Sequence, residues 1–205
     1  MGTATLTKDP YNLIITGVGG QGNVLASRVL GNLLSDKGFS ITIGETFGAS
    51  QRGGSVMSHM RISAGESWSP QIPKGQADMV VALEPIEALR VLHTYGHPGV
   101  KVISNTRSIY PVGVISGDSK YPSMDELQKT IEGLTEQAWF INATDAAMEL
   151  GNPIFGNIMM VGALAKTGVL PIDRDGFEKV MLRTMGEKKT PVNLKAFDMG
   201  AEMIN

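Results

Sequence analysis

Tyr11-Asn12-Leu13-Ile14-Ile15-Thr16-Gly17-Val18-Gly19-Gly20-Gln21-Gly22 is a short apolar run that empties into a glycine-rich turn. After it, Leu25, Val29 and Leu33 recur at four-residue spacing, as do Ala26, Leu30 and Leu34. Arg28, Asn32, Ser35 and Asp36 take the opposite face, so the period predicts an amphipathic helix of about four turns, stopped by Gly38. Phe39-Ser40-Ile41-Thr42-Ile43 reads as a second strand. Strand, glycine turn, helix and strand make a βαβ unit, whose crossover sets its two strands parallel.

The same texture continues outward. Val56, Ser58, Met60 and Ile62 alternate with Met57, His59 and Arg61, which predicts a strand, antiparallel or at an edge. Residues 77–83 and 100–104 read as buried strands, and Pro85 opens a helix carrying Ile86, Leu89 and Leu92 between them. Ser123-Met124-Asp125-Glu126 matches a capping box and starts a helix expected to reach about Gln137. Trp139-Phe140-Ile141 is the last strand and 145–150 a short helix. From Asn157 the chain reads as helix: 158–167 with Gly168 as stop, 173–185, and 191–203. Asp173 caps the second of these. The small and soft residues around Met159 and Met160 suit close core packing, with a subunit interface as the lesser reading. The expected fold is therefore α/β: a Rossmann-like, mostly parallel sheet flanked by helices, with a helical C-terminal portion. No linker or repeat interrupts it, so residues 1–205 are expected to form a single domain.

Composition narrows the chemistry. Hydrophobic residues are 42% and charged residues 19% of 205, as in a globular chain. Lys and Arg number 18 against 20 Asp and Glu, so no basic field is available for nucleic acid. No apolar stretch approaches membrane-spanning length, and residues 1–10 lack a charged-then-apolar leader, so the expected compartment is the cytoplasm. Cysteine is absent, which excludes disulfides, thiolate zinc, a cysteine nucleophile and a cysteine-held iron–sulfur cluster within this chain. His59 reads as a strand histidine with a satisfied hydrogen bond, and His93 and His97 flank a helix end; none is assigned metal or catalytic chemistry.

Gly17, Gly19 and Gly22 satisfy G-x-G-x-x-G between a strand and a helix, and Gly20 and Gln21 complete the turn. Such a turn lets backbone approach an anion while the helix end supplies free N–H groups and a positive dipole. Gln21 can direct its amide at the same mouth. Glu45 falls 23 residues after Gly22, where a ribose-binding acid is expected of a nicotinamide dehydrogenase. Anion or nucleotide-like binding and plain architecture both remain open readings of this turn. Ser50, Gln51, Arg52, Gly53 and Gly54 form a second loop, whose paired glycines and forked cation suit an anion or a partner.

Gly17 to Gly22, with Glu45-Thr46-Phe47-Gly48 and Gln51-Arg52-Gly53-Gly54-Ser55, resembles the gamma subunit or domain of 2-oxoacid:ferredoxin oxidoreductases. Within that family it is most similar to the small beta subunits of the indolepyruvate enzymes. Asn105-Thr106, Tyr121-Pro122, residues 157–164, 168–171 and 193–197 extend the resemblance over nearly the whole chain. It implies a pyruvate/ketoisovalerate oxidoreductase gamma-type domain in a complex that oxidatively decarboxylates a 2-oxoacid. The resemblance further implies thiamine diphosphate, magnesium and iron–sulfur clusters on larger partner subunits, coenzyme A as acyl acceptor, and ferredoxin as electron acceptor. The absence of cysteine and of a GDG…N pattern agrees with that division of labour, so no cofactor is assigned to this chain alone and none of its residues is assigned as catalytic. The isolated chain is then expected to be inactive, as a monomer or a homodimer. An aryl pyruvate such as indolepyruvate is the first expectation, ahead of a branched-chain 2-oxoacid, pyruvate or 2-oxoglutarate. The competing readings are a free-standing NAD-dependent oxidoreductase and a purely structural assembly subunit.

Overall fold

The computed structural model describes residues 6–48 and 53–204. Six strands form one sheet in the order β2-β3-β1-β4-β5-β6, with β1 (Tyr11–Val18) inside it. Every residue of β1 is buried, as an apolar run covered on both faces requires. Alternate side chains feed two cores. Leu13 and Ile15 join the larger, with Leu30 and Leu33 of α1 (Asn23–Asp36), Met159 of α6 (Gly156–Thr167), Phe177 of α7 (Arg174–Met185) and Phe197 of α8 (Thr190–Glu202). Ile14 joins the smaller, with Val91 of α2 (Pro85–Tyr95) and Ile131 of α4 (Met124–Leu134).

On the right of β1, β4 (Met79–Ala82), β5 (Lys101–Asn105) and β6 (Gln137–Ile141) add in parallel. On its left the arrangement departs from the simplest reading of the βαβ unit. β2 (Ser40–Phe47) and β3 (Ser55–Ser63) form an antiparallel hairpin, and β3 inserts between β2 and β1. β1 and β2 run in the same direction but do not touch. β3 is antiparallel as expected, yet interior; β2 is the edge strand. The reason is the return of the chain: after β2 it doubles back, and β3 takes the place beside β1 that β2 would have filled in a simple βαβ unit.

Other boundaries differ modestly. α4 ends at Leu134, because Thr135 turns extended and Gln137 pairs with Lys101 as the first residue of β6. Ser123 caps α4 and Glu126 reaches back in a full capping box. Asp173 caps α7 through the Gly176 N–H, at 2.7 Å. The short helix after β6 is α5 (Ala143–Glu149), and a four-residue helix, α3 (Val112–Ile115), lies where no element was expected. α6 is the central C-terminal element, buried from Gly156 to Leu164 and packed on α8, so the methionines on it belong to the core.

Candidate functional site

Four parallel strands, β1, β4, β5 and β6, deliver their carboxyl ends to one edge of the sheet, and α1, α5 and α6 begin there. Open α/β sheets bind ligands at this edge. A cleft of about 500 Å3 opens along it. Its walls are Gly19, Gly20 and Gln21 after β1, Leu83 after β4, Asn105, Arg107 and Ile109 at the end of β5 and beyond, Thr144 in α5, and Asn152, Ile154 and Asn157 at the entry to α6. Arg107 is the one charged side chain among these lining residues, and its exposed guanidinium stands 3.5 Å from Asp145.

The glycine turn is built as its spacing suggests, but its polar groups are largely spoken for. Gly17 lies within β1, and a β-carbon there would sit 2.6 Å from Gln21 Oε1. That oxygen accepts from Val18 N at 2.7 Å, while Gln21 Nε2 donates to Leu83 O at 2.9 Å. The amide therefore staples β1 to β4 with one bond from each end, and it stands in the wall of the cleft. Gly19 N donates to Gly54 O at 2.8 Å, and Gln21 N to Val18 O at 3.1 Å. Among the described residues, the N–H groups of Gly20 and Gly22 are the turn's uncommitted donors, beside those of the first turn of α1.

Gly20 and Gly22 take φ values of 104° and 87°, a region costly for other residues. Gly22 has a second constraint: a β-carbon would lie 2.0 Å from Asn157 Nδ2. Asn157 is 1% exposed. Its Nδ2 donates to Gln21 O and Gly22 O, both at 3.4 Å, and its Oδ1 has no partner among the described residues. A buried amide oxygen left without a donor costs about 1–3 kcal/mol, so an incoming N–H or O–H at this cleft wall is favoured.

Two acids that the sequence reading passed over organise the rim. Glu84, 1% exposed, caps α2 by accepting from Glu87 N at 3.0 Å. Its Oε1 accepts from Ile109 N at 3.2 Å and also from the Tyr121 hydroxyl, whose pKa is pushed upward by burial and by this contact. Glu87, also buried, accepts from Ser55 Oγ at 2.5 Å. Burial raises the Glu87 pKa above the ordinary 4.5, with Ser55 and Arg90 opposing the rise. Asn105 ties the remaining loops: its Nδ2 donates to Leu83 O and Thr144 Oγ1, and its Oδ1 accepts from Ala143 N and Thr144 N. The N-terminus of α5 is thereby capped.

Glu45 lies within β2, opposite Ser58 of β3, and does not line the cleft. With β3 intervening, it stands two strand spacings, about 10 Å, from β1 instead of one. That is too far out for the ribose-binding place of a dinucleotide fold, which lies on the strand next to β1. Gly53 and Gly54 are at the carboxyl edge, Gly53 with φ 75° and Gly54 bonded to Gly19. Ser50, Gln51 and Arg52 lie outside the described residues. His59 is buried on β3, its Nδ1 accepting from Ile72 N at 3.4 Å and its ring edge-on to Tyr95 at 5.0 Å. α2 ends at Tyr95, between His93 and His97, so those two do not share a helical face. Among the described residues no cluster of three metal-ligating side chains occurs, and no helix is long and apolar enough to cross a membrane.

Residues 12–203 match the family profile described as pyruvate ferredoxin/flavodoxin oxidoreductase. The chain is 36% identical over 200 residues to "Indolepyruvate oxidoreductase subunit IorB" of Pyrococcus horikoshii, covering 95% of this chain and 98% of that protein. It is 27% identical over 192 residues to "2-oxoglutarate synthase subunit KorC" of Archaeoglobus fulgidus, covering 94% and 87%. In fold it resembles the keto/oxoacid ferredoxin oxidoreductase gamma subunit of Geobacter sulfurreducens, with a TM-score of 0.66 at 23% identity over 94% of this chain and 97% of that one. With a match over almost its full length and a sheet edge built as described, the chain belongs to the pyruvate ferredoxin/flavodoxin oxidoreductase family, as the small subunit of a 2-oxoacid:ferredoxin oxidoreductase complex.

Proposed function

We propose that this subunit serves a complex that oxidatively decarboxylates an aryl pyruvate, indolepyruvate first, and that its carboxyl-edge cleft faces the catalytic centre held by the larger subunits. The observation that carries the substrate class is the gap between 36% identity to the indolepyruvate subunit and 27% to the 2-oxoglutarate subunit, over 95% and 94% of this chain. Thiamine diphosphate with magnesium, iron–sulfur clusters and coenzyme A supply the decarboxylation, electron transfer to ferredoxin and acyl acceptance, on or with the larger subunits. Residues 1–205 act as one such unit, in the cytoplasm.

The cleft suits an anionic group of coenzyme A or of another ligand. Among the described residues no carboxylate lines it, although Asp145 stands 3.5 Å from Arg107 at its edge; Arg107, the uncommitted N–H groups of Gly20 and Gly22 and the start of α1 favour negative charge. The chain's own part is to bind and orient. Gly17 to Gly22 shape the turn, and the connection between β2, which carries Glu45, and β3, with its Ser50, Gln51, Arg52, Gly53 and Gly54, contributes to the shared site.

The test is anoxic purification of the complex and assay of ferredoxin reduction with indolepyruvate, phenylpyruvate, pyruvate and 2-oxoglutarate. Preference for the aryl pyruvates supports the reading; preference for either of the small acids overturns the substrate class. Arg52→Ala in the intact complex separates a site-shaping loop, which loses turnover, from a purely structural subunit, which does not.

A further inference from the structure

The stretch Ile109-Tyr110-Pro111-Val112-Gly113-Val114-Ile115 contradicts the rule that folded monomers hide apolar runs. Val112 is 81% exposed, Ile115 73% and Tyr110 57%, and α3 contains no buried residue. The ridge is nevertheless fixed at its base. Ile109 N donates to the buried carboxylate of Glu84, the Tyr121 hydroxyl donates to the same oxygen, and the Tyr110 and Tyr121 rings meet edge to face at 5.0 Å. A preformed apolar ridge loses little freedom when covered, as an anchor of an interface must.

We propose that this ridge is the surface on which a larger subunit of the complex seats. The inference rests on the reading above that the cleft faces that subunit. Ile109 belongs to both features: it lines the cleft and begins the ridge. A protein surface that brings a catalytic centre to the cleft must therefore pass over the ridge, which runs on from the cleft's rim. A second copy of this chain is the less fitting occupant, since pairing through the ridge would set two clefts against each other and bar the larger subunit. The expected complement is an apolar groove on the larger subunit, beside its substrate entrance.

The experiment uses the complete complex, reconstituted from this chain and its purified larger subunit, and a Val112→Asp/Ile115→Asp double variant. Both positions are exposed, so the isolated variant keeps the wild-type melting temperature and circular dichroism. Expected are slowed amide hydrogen exchange at 109–115 on assembly and at least a tenfold weaker association for the variant, about 1.4 kcal/mol or more. A variant that associates as tightly as wild type overturns the inference. So does an isolated wild-type chain that is a dimer which the variant dissociates while still joining the larger subunit, since the ridge then belongs to a second copy. If wild type itself fails to associate, the underlying reading of the subunit falls instead.

Discussion

A β-carbon added to Gly200 would lie 1.9 Å from the carbonyl oxygen of Met159, and one added to Gly162 would lie 2.0 Å from that of Phe197. α6 and α8 thus meet backbone to backbone, through reciprocal glycines. Neither helix can yield without moving the core that carries the entry to the cleft. Gly200→Ala is expected to destabilise by about 3 kcal/mol or more, at the upper end of overpacking. Gly133→Ala is the control: it sits in α4 with open space around it and should stabilise by about 0.5–1 kcal/mol. Urea denaturation of both variants reads the contrast, and equal effects would sink the packing argument.

Glu84 gathers three donors in the protein interior. Glu84→Gln replaces one accepting oxygen by an amide NH2 among those donors and is expected to cost about 1–3 kcal/mol. The ridge should loosen with it. Faster amide exchange at Ile109 in the variant checks this, and Tyr121→Phe should give a smaller effect in the same direction.

The raised pKa of Glu87 fixes the sign of a pH effect. Its folded value lies above the ordinary 4.5, so its contribution to stability is intact below 4.5 and is lost as pH rises through the folded value. Glu87→Gln should therefore melt higher than wild type in mildly alkaline buffer, and the gain should vanish in acid below the ordinary carboxylate range. A variant gain that grows in acid would contradict the assignment.

How far the sequence carried the fold depended on how local each cause was. β1, β4 and β5 were legible because strands covered on both faces carry short, mostly apolar runs between turn signals, α1 because its apolar stripe is local, and α4 and α7 because their caps lie within one short window. The hairpin insertion was not. Alternation in residues 55–63 marks a strand but not its neighbour, and the pairing of Tyr11 with Ile62 joins residues far apart in sequence. The glycine spacing likewise disclosed the turn, yet nothing local reveals that Gln21 is spent on Leu83 or that Asn157 walls the same turn. Glu84 and Glu87 read as ordinary acids at a helix start; their burial is decided by Ser55, Ile109 and Tyr121, all distant in sequence. The signal that could have found them is the apolar company of Glu84 between Leu83 and Pro85-Ile86.

His59 makes a second pH prediction. Burial holds its pKa below the ordinary 6.5. With Nδ1 accepting from Ile72 N, the neutral ring carries its proton on Nε2, a buried donor with no hydrogen-bond partner among the described residues, and the ring packs edge-on to Tyr95. For a histidine kept neutral by folding, stability is undiminished above 6.5 and falls as pH drops from there towards the folded value. Melting temperatures across that range should fall more steeply for wild type than for His59→Gln. Parallel curves would show that His59 does not govern the slope.

The isolated chain should show no saturable NADH binding, because Glu45 stands a strand too far out and Gln21 is committed within the turn. Fluorescence titration of NADH checks this. Saturation that Glu45→Ala weakens would restore the dehydrogenase reading.

The hairpin that places β3 beside β1 has an evolutionary corollary. A βα loop on the other side of the sheet is pinned at both ends, by a strand and by a helix packed on it, so a change in its length disturbs the core. Among the described residues, the base of the connection between β2 and β3 is tied by ladder bonds, by Gly54 on Gly19 and by Ser55 on Glu87. A change of length in this connection is expected to leave the β2–β3 register and the helix packing in place, provided that the bond of Gly54 to the glycine turn is kept. This is the part of the small subunit at which one scaffold can diverge among oxidoreductases for different acids at the least structural cost.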